Sequence, residues 1–140
     1  MPETIPYGKQ SISESDIESI ARVLRSDYLT QGPTVPAFEK AVAKKSNSLY
    51  PVAVNSATSA LHIACLVLGV GNGDTVWTSP NTFVATANCA HYCGASVDFV
   101  DIDSRTWCMS TEKLRTKLEH HQAASLPLPK VVIPVHLSGQ

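Results

Sequence analysis

The chain has 140 residues, 44% of them hydrophobic, which is enough for one domain with a sizeable core and argues against disorder. Eleven basic against twelve acidic side chains leave a net charge of -1 with no long run of either sign, so nothing in the charge pattern calls for nucleic acid. The N-terminus MPETIPYGKQ has no apolar leader core, and no stretch reaches the roughly 18 apolar residues of a membrane span, so no membrane partner and a cytoplasmic protein are expected.

In chain order, Ser15-Asp16-Ile17-Glu18 has the S-x-x-E form of a capping box. Ile17, Ile20, Val23 and Leu24 follow at helical spacing and predict an amphipathic helix over about residues 15–26. DYLTQGPTVP reads as a loop punctuated by Gly32, Pro33 and Pro36, after which Phe38, Ala41 and Val42 mark a second, short helix. From Tyr50 onward short apolar runs alternate with helical stretches. YPVAV predicts a strand, ATSALHIACLVL a helix stopped by Gly69, DTVWTS a strand, TFVATANCAHYC a helix stopped by Gly94, and SVDFVDI a strand. Ser110 to His121 predicts an amphipathic helix on Leu114 and Leu118, and KVVIPVHL a fourth strand, central in the sheet by its apolar character and left without a covering helix. Such alternation predicts an α/β layered fold, mainly a parallel sheet with flanking helices, incomplete at its end. Two segments are expected: residues 1–48, a helical segment with its loop, and residues 49–140, the first part of an α/β domain.

Cys65, Cys89, Cys93 and Cys108 include no C-x-x-C pair or nearby His/Cys set that would complete a zinc site; they read as reduced core thiols, and no metal is expected.

The candidate chemistry lies where strands give way to helices. At Asn55-Ser56-Ala57-Thr58-Ser59 a helix starts within two residues of a strand, which aims first-turn N–H groups and the positive end of the helix dipole out of the sheet's carboxyl edge. That arrangement suits an anion, with the hydroxyls of Ser56 and Thr58 as further donors. The same Asn and Ser would also be present if they only capped the helix. Thr78-Ser79-Pro80-Asn81-Thr82-Phe83 leaves the next strand at the same edge, so Phe83 is either a flat ring beside the anion site or a core aromatic. His136 stands at that edge too, and its pattern gives it no role. Gly69-Val70-Gly71-Asn72-Gly73 follows a helix and precedes a strand, the reverse of a dinucleotide fingerprint, and reads as a turn.

With these stretches in view, IPYGKQ, SDYLTQGPTVPAFE, VAVNSATSALHIACLVLGVGNGD, VWTSPNTFVATANCAHYCGASVDFVDID and PKVVIPVHLSGQ resemble the N-terminal third of the DegT/DnrJ/EryC1/StrS sugar aminotransferases. Within that family they are most similar to members that aminate C4 of a UDP-linked 4-keto-6-deoxy-N-acetylhexosamine for pseudaminic acid. The resemblance implies the large domain of a pyridoxal 5'-phosphate enzyme of fold type I, a homodimer with its active site between subunits, and glutamate as amino donor. It implies that Ala57 and Thr58 hold the cofactor phosphate while Ser56 shapes the turn, that Phe83 stacks on the pyridine ring, and that Thr30 and Gln31 approach the sugar nucleotide. The chemistry needs a Schiff-base lysine and an acid at the pyridine nitrogen, both of which the family carries at positions beyond Gln140. Lys9, Lys40, Lys44, Lys45, Lys113, Lys117 and Lys130 all fall away from the carboxyl edge, so the 140-residue chain is expected to be inactive alone. Two other readings stand beside this one. They are a sugar-nucleotide 3-dehydratase of the same fold, in which a histidine replaces the lysine, and a non-catalytic binding or assembly module.

Overall fold

The computed structural model describes residues 8–139; Ile5, Pro6 and Tyr7 of the IPYGKQ segment lie outside the described residues. The chain divides after Ala53 into two compact units.

The first unit carries helices α1 (Glu14–Leu24) and α2 (Thr34–Ser46). The capping box of α1 is Ser13 with Asp16, not Ser15 with Glu18: the Ser13 amide donates to Asp16 Oδ2 at 2.8 Å and the Asp16 amide to Ser13 Oγ at 3.3 Å. A carboxylate one methylene shorter than Glu closes the same reciprocal pair. Helix α2 starts earlier than expected and takes Pro36 into its first turn, where a missing N–H costs nothing because that donor has no intrahelical acceptor. The expected YPVAV strand does not form. Residues 51–54 have no strand partner among the described residues, and the Ala53 amide donates to Glu39 Oε1 at 2.8 Å instead of to a ladder.

The second unit runs α3 (Ala57–Val67), β1 (Thr75–Thr78), α4 (Ala85–Tyr92), β2 (Ser96–Phe99), α5 (Thr111–Ala123) and β3 (Val131–Ile133). The three strands are all parallel in the order β2-β1-β3, with Val76 opposite both Val97 and Val131. The glycine-rich stretch after α3 is the expected turn. Gly69 and Gly73 take φ of 69° and 89°, and the Gly71 amide donates to Asp74 Oδ2 at 2.9 Å. The run expected as a central fourth strand is β3, which flanks β1 and stops at Ile133, because Pro134 has no N–H to offer a ladder.

Alternation along β1 sends Val76 and Thr78 to one face of the sheet and Trp77 to the other. On the first face Val76 packs with Cys65 of α3, Cys89 and Ala90 of α4, Val70 and Ala95, all buried. Cys65 and Cys89 are free thiols whose sulfurs lie 3.6 Å apart; Cys65 donates to Cys89, which donates to the Thr86 carbonyl at 3.1 Å. Burial, reinforced by the Cys89 thiol, pushes Cys65 up to about 11, the behaviour of a core thiol. On the second face Trp77, 1% exposed, sits under α5. His121 meets its ring edge-on at 4.8 Å, and Lys117 Nζ lies 4.5 Å above the ring centroid while ion-paired to Asp98 at 2.6 Å. This is the expected parallel α/β layering, with helices on both faces of the sheet.

Candidate functional site

The order β2-β1-β3 means that the chain leaves β1 to one side through α4 and returns on the other through α5. The reversal falls between β1 and β3, where crevices open beyond the carboxyl ends of parallel strands. Helix α3 leads into β1 through the glycine-rich turn, and its first residues, Ala57 and Thr58, lie at the same edge as the residues that follow β1 and β3. A cleft of about 390 Å³ lies there, lined by Ala57 and Thr58 of α3, Thr82 and Phe83 of the β1–α4 loop, and Val135 and His136 beyond β3. Phe83 is 76% exposed, so it is no core aromatic; it faces the cleft shared with the start of α3.

The start of α3 divides its donors. Ser56 is the N-cap, and its hydroxyl accepts from the Ser59 amide at 3.1 Å, while Ser59 Oγ donates to Asn55 Oδ1 at 2.8 Å. The cap therefore satisfies the third amide of the helix only. The amides of Ala57 and Thr58 and the Thr58 hydroxyl take no partner among the described residues. No carboxylate lines the cleft. An edge with two free amides, a hydroxyl and a helix dipole, opposite an aromatic ring and away from negative charge, is fitted to an anionic group carried on a flat ring.

That composition agrees with what the sequence is similar to. The model of the DegT/DnrJ/EryC1/StrS aminotransferase family matches residues 10–140. The chain belongs to this family. The spore coat polysaccharide biosynthesis protein SpsC of Bacillus subtilis (strain 168) is 40% identical over 136 residues, 97% of this chain and 33% of that protein. The PMP-form of the putative sugar aminotransferase Spr1654 from Streptococcus pneumoniae superposes with a TM-score of 0.83 at 32% identity, covering 98% of this chain and 33% of that one. The DegT DnrJ EryC1 StrS aminotransferase from Brucella abortus gives 0.78 at 30% identity, covering 86% of this chain and 32% of that one. The chain thus spans about one third of the length of these relatives.

Of the residues singled out in the sequence, Ala57, Thr58 and Phe83 come together in the cleft, with Ser56 capping the helix beside it. Thr30 and Gln31 belong to the first unit, on the loop between α1 and α2, where Gln31 takes the left-handed φ of 53°. None of the lysines lines the cleft, and Lys113 and Lys117 are held by Asp101 and Asp98. Three features of the site carry no sequence signal of their own. Thr82 Oγ1 donates to Thr86 Oγ1 at 2.8 Å across the entry to α4. His136 lines the cleft. Ser79, fully buried at the end of β1, has a hydroxyl with no partner among the described residues. Their position at strand ends was the available clue. Among the described residues no cluster of three or more His, Cys, Asp or Glu could hold a metal, and no helix is long and apolar enough to cross a membrane.

Proposed function

We propose that this chain is the N-terminal portion of a pyridoxal 5'-phosphate-dependent aminotransferase that moves an amino group from glutamate to C4 of a UDP-linked 4-keto-6-deoxy-N-acetylhexosamine. It would work as a cytoplasmic homodimer in pseudaminic acid or other surface-glycan biosynthesis. The observation that carries the reading is the cleft, with its unpaired Ala57 and Thr58 amides opposite the exposed ring of Phe83. Membership of the aminotransferase family supports it, as do the PLP- and PMP-forms of Spr1654 and the spore coat polysaccharide role named for SpsC.

In this reading Ala57 and Thr58 hold the cofactor phosphate through their amides and the Thr58 hydroxyl, and Ser56 keeps the helix start rigid so that these donors stay aligned. Phe83 packs against the pyridine ring and excludes water from one of its faces. Thr30 and Gln31 contact the sugar nucleotide. The bound cofactor supplies an electron sink for the transfer of the amino group. The lysine and the acid that complete the chemistry come from sequence beyond this portion.

The full-length protein, titrated with pyridoxal phosphate and followed by absorbance, should bind it. Thr58→Val should weaken binding by about 1–3 kcal/mol, the loss expected when a hydrogen bond to a charged group disappears. An unchanged affinity rejects the Thr58 hydroxyl as a phosphate ligand. Incubation with glutamate and the UDP-linked keto sugar should give the 4-amino sugar by mass spectrometry, and turnover of other keto sugars in its place would overturn the substrate assignment.

A further inference from the structure

Strand β2 lies at a margin of the sheet, paired with β1 on one side and with no strand on the other among the described residues. Successive residues of a strand direct their N–H and C=O groups to opposite sides. The Ser96 amide donates to the Asp74 carbonyl and the Val100 amide to the Thr78 carbonyl, each at 2.9 Å, so Ser96, Asp98 and Val100 face β1 while Val97 and Phe99 face outward. An outward row of unpaired backbone groups is a template on which another strand can add.

Backbone groups close both ends of this row. The Ala95 amide donates to the Ala90 carbonyl at 3.0 Å, and the Asp101 carbonyl accepts from the Ser110 amide at 2.9 Å. Between them, side chains close Phe99. Its amide donates to Asp98 Oδ1 at 2.7 Å, and its carbonyl accepts from Lys117 Nζ at 2.8 Å. The same two side chains are ion-paired at 2.6 Å, and the Trp77 ring, centred 4.5 Å from the Lys117 ammonium, holds that group in place from beneath. Val97 is then the one outward residue of β2 with no backbone partner among the described residues, and the bonds of one residue do not offset the freedom lost when a strand docks.

We propose that Asp98 and Lys117 guard the open edge of β2: together they occupy both backbone groups of Phe99 and so keep this edge from pairing with the same edge of a second copy of the chain. The edge suits its own copy. An antiparallel pairing centred on Asp98 sets Val97 against the copy's Phe99, whose ring is exposed, and would also set two Asp98 carboxylates directly opposite each other, a further penalty while the acid is present. The guard does not depend on what the cleft binds.

The test uses the full-length protein. In the wild type, hydrogen exchange followed by NMR should find the Val97 amide open and the Phe99 amide slowed; equal exchange at the two, fast or slow, overturns the proposal. Asp98→Ala/Lys117→Met removes both closing groups and leaves the net charge unchanged. Its mass in sedimentation velocity should rise with concentration toward double that of the wild type, as a symmetric pair requires, with the Val97 amide protected in the associated form. Lys117→Arg, which keeps a donor for the Phe99 carbonyl and a charge for Asp98, should sediment as the wild type does. The proposal is overturned if the double variant loses stability but keeps the wild-type mass, if it associates with the Val97 amide still open, or if Lys117→Arg associates as the double variant does. Should the double variant fail to fold, Lys117→Met, which keeps the apolar stem over Trp77, carries the same two readouts.

Discussion

At Ser56 capping and anion binding are not rivals. Its hydroxyl occupies the Ser59 amide and leaves those of Ala57 and Thr58 free, so the residue type that reads as a plain cap is also what holds two donors outward. Phe83 makes the same point from the other side. It precedes α4 by two residues instead of lying within it, and so escapes the core that claims most aromatics. Phe83→Leu keeps an apolar side chain and loses the flat ring. It should raise the dissociation constant for pyridoxal phosphate about three- to tenfold, from an aromatic pair contribution of roughly 0.5–1.5 kcal/mol, with little change in the melting temperature. Equal affinity in a fluorescence titration would remove Phe83 from the site.

Among the elements, α5 depends most on charge. It meets the sheet through Lys117, paired with Asp98 of β2, and through His121 against Trp77, while Lys113 pairs with Asp101 in the loop after β2. Burial raises the Asp98 carboxyl, but the Lys117 ammonium, the Phe99 amide at 2.7 Å and the His121 ring together outweigh it and hold it below its ordinary value. A depressed carboxyl contributes stability above the unfolded-state value near 4 and loses it as pH falls through the folded-state value. Stability should therefore drop below about pH 4, and Asp98→Asn should flatten that part of the acid limb while lowering stability at pH 7. Urea titrations at several pH values measure this. A parallel offset at every pH would show that Asp98 does not contribute through its charge.

At the scale of the α/β unit, the sheet is organised around Trp77, buried in the central strand beneath α5. Trp77→Ala opens the largest space that a single truncation can make here and should cost about 3–5 kcal/mol in chemical denaturation. A cost below about 1 kcal/mol would mean that the neighbouring side chains collapse into the gap.

The sequence alone was enough for the strand-helix alternation, the stops at Gly69 and Gly94, and the two edge motifs. Each of these is written in neighbouring residues, through hydrophobic period, glycine at left-handed φ, or a cap within one turn. It misjudged YPVAV because a strand exists only with a partner, and there the Ala53 amide is taken by Glu39. It overextended β3 because apolar character says nothing about the ladder donor missing at Pro134. Only the tertiary structure decided that β1, not β3, lies between its neighbours, and that the crevice therefore opens between β1 and β3. It also decided that Thr58, Phe83 and His136, at least 25 residues apart along the chain, line one cleft. The reason is physical: which strand ends become neighbours is set by the strand order of the whole sheet, and no local run of residues encodes that order.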